Sequence, residues 1–204
     1  TAANYNITTA NGALTVGKAA LTVTADDKSK IYGAADPALT YTANAGQLFY
    51  GDTGAVVTGV SLTAPTGAAA TAGTHTITAS GGTAANYAVT SANGMLTVGK
   101  ASLTATADNK SKTYGAADPA LTYSVGGTLF YGDTATVVSG VSLAAPTGAA
   151  ATAGTHTIAA SGGTAANYNI TTANGTLTVD QAVISLAGNR AYDGSTSFGP
   201  GAFG

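Results

Sequence analysis

A mainly β protein made of tandem modules is what three features of the sequence predict. One long motif returns almost unchanged, short runs alternate apolar with polar residues, and no stretch carries the i, i+3, i+4 apolar spacing of an amphipathic helix. The motif is TADDKSKIYGAADPALTY at 24–41, which reappears as TADNKSKTYGAADPALTY at 106–123. Leu103 follows Leu21, and Pro119 follows Pro37, by 82 residues; Leu129 follows Leu48 by 81. The lost residue falls where ANAGQ faces VGGT, and a Gly-rich loop absorbs such a change at little entropic cost. Identity over the unit is roughly three-quarters, too high for chance at this period.

In chain order, residues 1–18 read as the closing hairpin of a preceding module, two strands around Asn11-Gly12, a pair suited to a tight turn. The same hairpin is expected at Asn93-Gly94 and Asn174-Gly175. The first full module spans 19–100. In it, ALTVTA alternates as a half-buried strand, and DDKSK reads as a polar turn. Pro37 precedes a second alternating run with Leu39 and Tyr41 on one side, so that strand starts there or lies at a sheet margin. LFYGDT reads as a single helical turn or a tight loop. GVSLTAP is a short strand ended by Pro65, and THTITAS is another, with His75 and Ile77 on one face. The second module spans 101–180. Each holds about six or seven short strands and at most one short helical turn. Residues 181–204 open with AVISLAG, a candidate first strand, and then depart from the motif as a truncated module of another type.

Composition narrows the functional classes. The 204 residues include 7 Lys and Arg, 9 acidic residues, all of them Asp, and neither Cys nor Trp. A net charge of −2 supplies no footprint for nucleic acid. No apolar run approaches the ~20 residues a membrane helix needs. Large apolar residues are scarce, so each core is expected to be thin and to draw on its aromatic residues. These are Tyr32, Tyr41, Phe49, Tyr50 and Tyr87, with Tyr114, Tyr123, Phe130, Tyr131 and Tyr168 as their counterparts. Abundant Ala, Thr, Gly, Asn and Ser with few charges suit an exported bacterial surface array.

No catalytic set is visible. His75 and His156 are repeat equivalents, without a matched base or nucleophile, and read as half-buried structural residues. Asp26, Asp27, Asp36 and Asp52, with Asp108, Asn109, Asp118 and Asp133, stand in turn contexts and lack the converging spacing of a calcium loop. Neither a metal nor another cofactor is expected. Lys28, Lys30, Lys110 and Lys112 read as guards on an edge strand. Tyr50 and Tyr131, in the loop, are the candidate contacts for a glycan.

The motif order K-[IT]-Y-G-A-A-D-P-A-L-T-Y, L-F-Y-G-D-T, A-G-T-H-T-I and L-T-V resembles the MBG repeats of the YGX type found in very large bacterial surface adhesins, including filamentous-haemagglutinin-like proteins of two-partner secretion. AYDGST at Ala191–Thr196 resembles the companion YDG repeat. The resemblance implies β-grasp-like or sandwich-like modules, an extracellular location at the bacterial cell surface, and no catalytic residues. It rests on Tyr32, Gly33, Asp36 and Pro37, and on Tyr114, Gly115, Asp118 and Pro119, as repeat-defining structural positions. His75 and His156 stand where such repeats often carry Tyr. With two-residue joints between modules, the expectation is an elongated, semi-rigid, end-to-end stalk that is not an enzyme, spacing an adhesive tip or contributing to biofilm matrix. The alternatives are polysaccharide binding through the loop tyrosines and self-association with neighbouring chains through strand edges.

Overall fold

The computed structural model describes residues 3–185. AYDGST and the last three residues of AVISLAG lie outside the described residues; Gln181–Ser185 carry no strand. The described residues form two compact units. The first runs to Ala101 and also takes in Phe130–Gly132 and Ala166–Tyr168; the second holds the remainder.

Seven strands make up the first repeat: β1 Ala19–Ala25, β2 Lys28–Ile31, β3 Tyr41–Ala43, β4 Thr58–Thr63, β5 Gly73–Thr83, β6 Tyr87–Ala92 and β7 Gly94–Gly99. They form two sheets, β3-β1-β6 and β2-β7-β5-β4. The second repeat supplies β8 Ala101–Ala107, β9 Lys110–Thr113, β10 Tyr123–Gly127, β11 Ser139–Ala144, β12 Gly154–Thr164, β13 Tyr168–Ala173 and β14 Gly175–Asp180, in the same two sheets, β10-β8-β13 and β11-β12-β14-β9. With two sheets and no α-helix among the described residues, the sandwich-like alternative holds over the grasp-like one.

The alternation read in ALTVTA is realised: Leu21, Val23 and Ala25 are buried while Thr24 is exposed. Their side chains meet Val57, Ala84 and Tyr87, flanked by Tyr41, Leu48, Val60 and Val89. In the second repeat Ala107, Ala151, Ile158, Leu177 and Val179 form an equally small cluster. Its members are mostly Ala, Val and Leu, so aromatic rings and backbone proximity fill what large aliphatics would fill elsewhere.

Three expectations are corrected. First, the Asn-Gly hairpins do not form. β6 pairs in parallel with β1, from Ala19 opposite Tyr87 to Thr24 opposite Ala92, whereas β7 pairs with β5 and β2 in the other sheet. Asn93-Gly94 is where the chain changes sheets. Asn93 Oδ1 accepts from Ala79 N (3.0 Å), and a Cβ on Gly94 would collide with Ala25 O, so glycine serves close approach here, not a hairpin turn.

Second, KSK is not part of a turn. Lys28–Ile31 is an edge strand parallel to β7, Lys28 opposite Leu96 and Ile31 opposite Gly99. Polarity hid it, since the buried side of β2 presents Lys30, whose charge is matched by Asp36 six residues further on.

Third, more than one helical turn is present. Single 3-10 turns occur at Ala45–Gln47, Gly54–Val56 and Gly67–Ala69, and at Ala135–Val137 and Gly148–Ala150. These loops are rich in small residues that close i→i+3 bonds without steric cost. The turn at Ala45–Gln47 has no counterpart because the second repeat is one residue shorter there. In the first repeat Gln47 Oε1 accepts from Thr22 N (2.7 Å) on β1. In the second, β10 runs on to Gly127 and pairs with β8 as far as Leu103.

Residues 3–18 carry no strand. Residues 5–16 nonetheless match 168–179, which are strands β13 and β14, at every position but Ala13 against Thr176. Tyr168 and Leu177 are buried, but Tyr5 and Leu14 are 78% and 90% exposed. The same residues are strand where partners exist and not where none lies alongside, which is context overriding propensity.

Candidate functional site

Two small constellations recur in each repeat. The first centres on Lys30. β2 turns its side chain inward, where Nζ donates to Asp36 Oδ1 (2.5 Å) and Ala34 O (3.2 Å). Asp36 also accepts from Gly67 N (3.1 Å to Oδ2), the backbone that opens the 3-10 turn Gly67–Ala69. Lys112, Asp118, Ala116 and Gly148 repeat this arrangement, with the Lys112–Asp118 contact at 2.6 Å. The lysine hydrogen bond first, and then the Gly67 or Gly148 N–H, hold both Asp carboxyls below the ordinary carboxylate range. The carboxylate thus ties an edge strand to a loop 31 residues further on. Lys30 and Lys112 are therefore not the exposed edge guards expected from sequence; their burial beside Asp corrects that reading. Lys28 does reach outward, to Thr40 Oγ1 (2.7 Å).

The second constellation is the LFYGDT loop. Phe49–Asp52 is a tight turn closed by Asp52 N donating to Phe49 O (3.0 Å), with Tyr50 at φ 56° and Gly51 at φ 81°. Both central residues are left-handed, as in a type I′ turn. Glycine adopts that region freely, but tyrosine is strained there. Tyr131 repeats it at φ 54°. Tyr87 on β6 secures the turn: its Oη accepts from Phe49 N (3.0 Å) and donates to Asp52 Oδ2 (2.7 Å). The Phe49 N–H lowers the Tyr87 pKa, but burial and Asp52 outweigh it, and the phenol sits above its ordinary value. Tyr168 Oη accepts from Phe130 N at the same distance, 3.0 Å.

The loop tyrosines singled out from sequence are not equally presented. Tyr50 is 105% exposed and Tyr131 46%. Phe49, Tyr50, Asp52, Asn86 and Tyr87 with Lys18 border a cleft of about 400 Å³. Tyr32 is buried and Tyr114 is 44% exposed. Their neighbours Gly33 and Gly115 both have positive φ, 85° and 84°. Pro37 and Pro119 each follow the clamp aspartate directly. His75 and His156 are half-buried, each with Nε2 2.7 Å from a backbone carbonyl, Thr71 O and Thr152 O. Two further carboxylates accept hydrogen bonds that tie distant segments: Asp26 from Thr40 and Thr42, which lower its pKa, and Asp27 from Met95 N. Among the described residues no three His, Cys, Asp or Glu side chains come together as a metal site. Sequence reasoning missed the Lys30–Asp36 clamp; the recurrence of a lysine six residues before an Asp-Pro in both repeats was the available signal.

Two-sheet β modules that repeat their clamps and turns position by position define a tandem-repeat protein. The chain belongs to the MBG domain family of the YGX type, whose model matches residues 21–97 and 103–178. Comparison with curated proteins gave no match. No helix among the described residues is long and apolar enough to cross a membrane.

Proposed function

We propose that the chain is a non-enzymatic, tension-resisting stalk segment of a bacterial surface adhesin, outside the cell, holding a binding tip away from the surface. One observation carries this reading: in each repeat the opening strands pair in parallel with the closing ones. β1 lies along β6 and β2 along β7, and likewise β14 lies along β9. Tension applied at the two ends of a repeat pulls such a pair lengthwise, so its ladder bonds share the load together. An antiparallel hairpin pulled from its open end would instead lose its bonds singly, in sequence. Family membership and a composition with few charges are consistent with an adhesin array.

Single-molecule stretching of the intact chain tests it. Two separate unfolding events are expected, each releasing about 27 nm, the extended length of roughly 80 residues. Smooth extension without discrete events would overturn the tension-resisting reading. Digestion of intact cells by an external protease checks the location, with loss of the chain expected.

A second reading, polysaccharide binding, has the full exposure of Tyr50 beside a cleft in its favour, since a free phenol ring can stack on a sugar face. A glycan array probed with the intact chain separates the two, because the stalk reading expects no bound sugar.

A further inference from the structure

The ring of Tyr32 is 3% exposed, and the rings that enclose it come from the repeat that follows. Tyr131 (centroids 5.3 Å, 75°), Tyr168 (5.4 Å, 82°) and Phe130 (6.3 Å, 86°) all pack on it edge-on, an arrangement that attracts beyond the area it buries. The Phe130 ring stands where a Cβ on Gly33 would go, so only glycine admits it after Tyr32. Asn167 Oδ1 accepts from Ala72 N (2.9 Å). All of these residues belong to the first compact unit, which is therefore not the same as the first sequence repeat: Phe130–Gly132 and Ala166–Tyr168 complete it.

Both sides of this contact are built for it. Tyr131 has φ 54°, a left-handed backbone that a tyrosine keeps only where its surroundings hold it. Its ring is the one that comes nearest to Tyr32. On the receiving side Tyr32 N donates to Gly99 O (2.8 Å), which fixes the Tyr-Gly corner to the end of β7. The sequence spells out both sides in both repeats. Tyr114, Gly115 and Ala153 answer Tyr32, Gly33 and Ala72, and Phe49, Tyr50, Asn86 and Tyr87 answer Phe130, Tyr131, Asn167 and Tyr168.

We propose that the Tyr-Gly corner of a repeat is a receptor for the Phe-Tyr turn of the next repeat in the same chain, together with the tyrosine and asparagine that flank that turn. The coupling is directional: the earlier repeat supplies the corner and the later one supplies the rings. In an array each repeat is thereby secured by its successor, and loss of structure in one is felt by the one before it, a nearest-neighbour coupling. The Tyr-Gly pair at the heart of the repeat motif thus serves the link between repeats, and its glycine is required by a ring from outside its own repeat. This latch does not depend on the stalk reading, because it concerns folding of the chain at rest.

Native-state amide exchange of the intact chain, resolved by NMR, tests it by changing one repeat and reading the other. Tyr131→Gly relieves the left-handed tyrosine in the second repeat but takes its ring away from Tyr32. The amides of Tyr32 and β2, in the first repeat, are expected to exchange about tenfold faster. Those of the β11–β12 pair, in the second, are expected to keep or better their protection. Phe130→Ala is expected to accelerate the same first-repeat amides. First-repeat amides at wild-type rates in both variants overturn the proposal, and so does equal acceleration in both repeats, the mark of a general loss of stability. Gly33→Ala and Gly115→Ala supply a second test. Their φ values are 85° and 84°, so alanine strains both backbones alike, but a Cβ at Gly115 meets nothing within 4 Å. Gly33→Ala is expected to lower the thermal midpoint by several degrees more than Gly115→Ala; equal losses overturn the proposal.

Discussion

Lys30 reaches Asp36 across 2.5 Å with its own side chain almost wholly buried and that of the aspartate 38% exposed. The pair is asymmetric: the cation is enclosed while the anion keeps contact with solvent and with Gly67 N. Breaking it therefore leaves a buried charge without its partner, which costs more than an intact pair contributes. Asp36→Ala and Asp118→Ala are each expected to lower the thermal midpoint by several degrees. Lys30→Met, which removes the charge and keeps the stem, is expected to cost less. Thermal denaturation of the three variants checks this order.

The same carboxylates set the acid limit of the fold. Their folded pKa values lie below the ordinary 3.8, so their contribution is complete above that value. It is lost as pH falls through the lower folded values, where the native carboxylates at last take up protons. Urea midpoints measured between pH 7 and pH 2 should be level to about pH 5 and then fall. The double variant Asp36→Asn, Asp118→Asn should start lower and show a shallower decline.

Gly94→Ala and Gly175→Ala are expected to destabilise their repeats by about 2–4 kcal/mol. An added Cβ meets Ala25 O in one case and Ala107 O in the other, backbone atoms on strands that cannot yield without disturbing β1 or β8. Denaturant unfolding of each variant measures the cost.

Leu21 is fully buried at the centre of a cluster with few large members. Leu21→Ala is expected to cost about 2–5 kcal/mol, as a cavity that small neighbours fill poorly. Calorimetry would show the loss.

Tyr50→Gly should stabilise the first repeat by up to about 1 kcal/mol, because it relieves a left-handed tyrosine that buries nothing of its own. A gain in thermal midpoint is the expected result.

How far the sequence could be read depended on where each signal came from. Alternation in ALTVTA and THTITAS announced β1 and β5, because one face of each strand is buried and the other solvated. Pro37 rightly pushed β3 to a margin, since β3 is the outer strand of its sheet. KSKI was illegible because its inward residue is a lysine whose partner lies on a different segment. Asn93-Gly94 misled because the dipeptide is compatible with a hairpin, and only the parallel partners of β6 and β7, tens of residues earlier, decide otherwise. The loop tyrosines were picked from sequence, but their unequal exposure depends on which neighbours cover each copy.

The pairing of β1 with β6 has a bearing on synthesis. As the chain leaves a ribosome, Ala19 emerges long before Tyr87, its opposite number in the ladder, and β2 must likewise wait for β7. A nascent repeat therefore cannot complete either sheet until its last residues are out. Anything that stops translation or clips the chain before those strands leaves only the antiparallel pairs β1–β3 and β4–β5, with neither sheet complete.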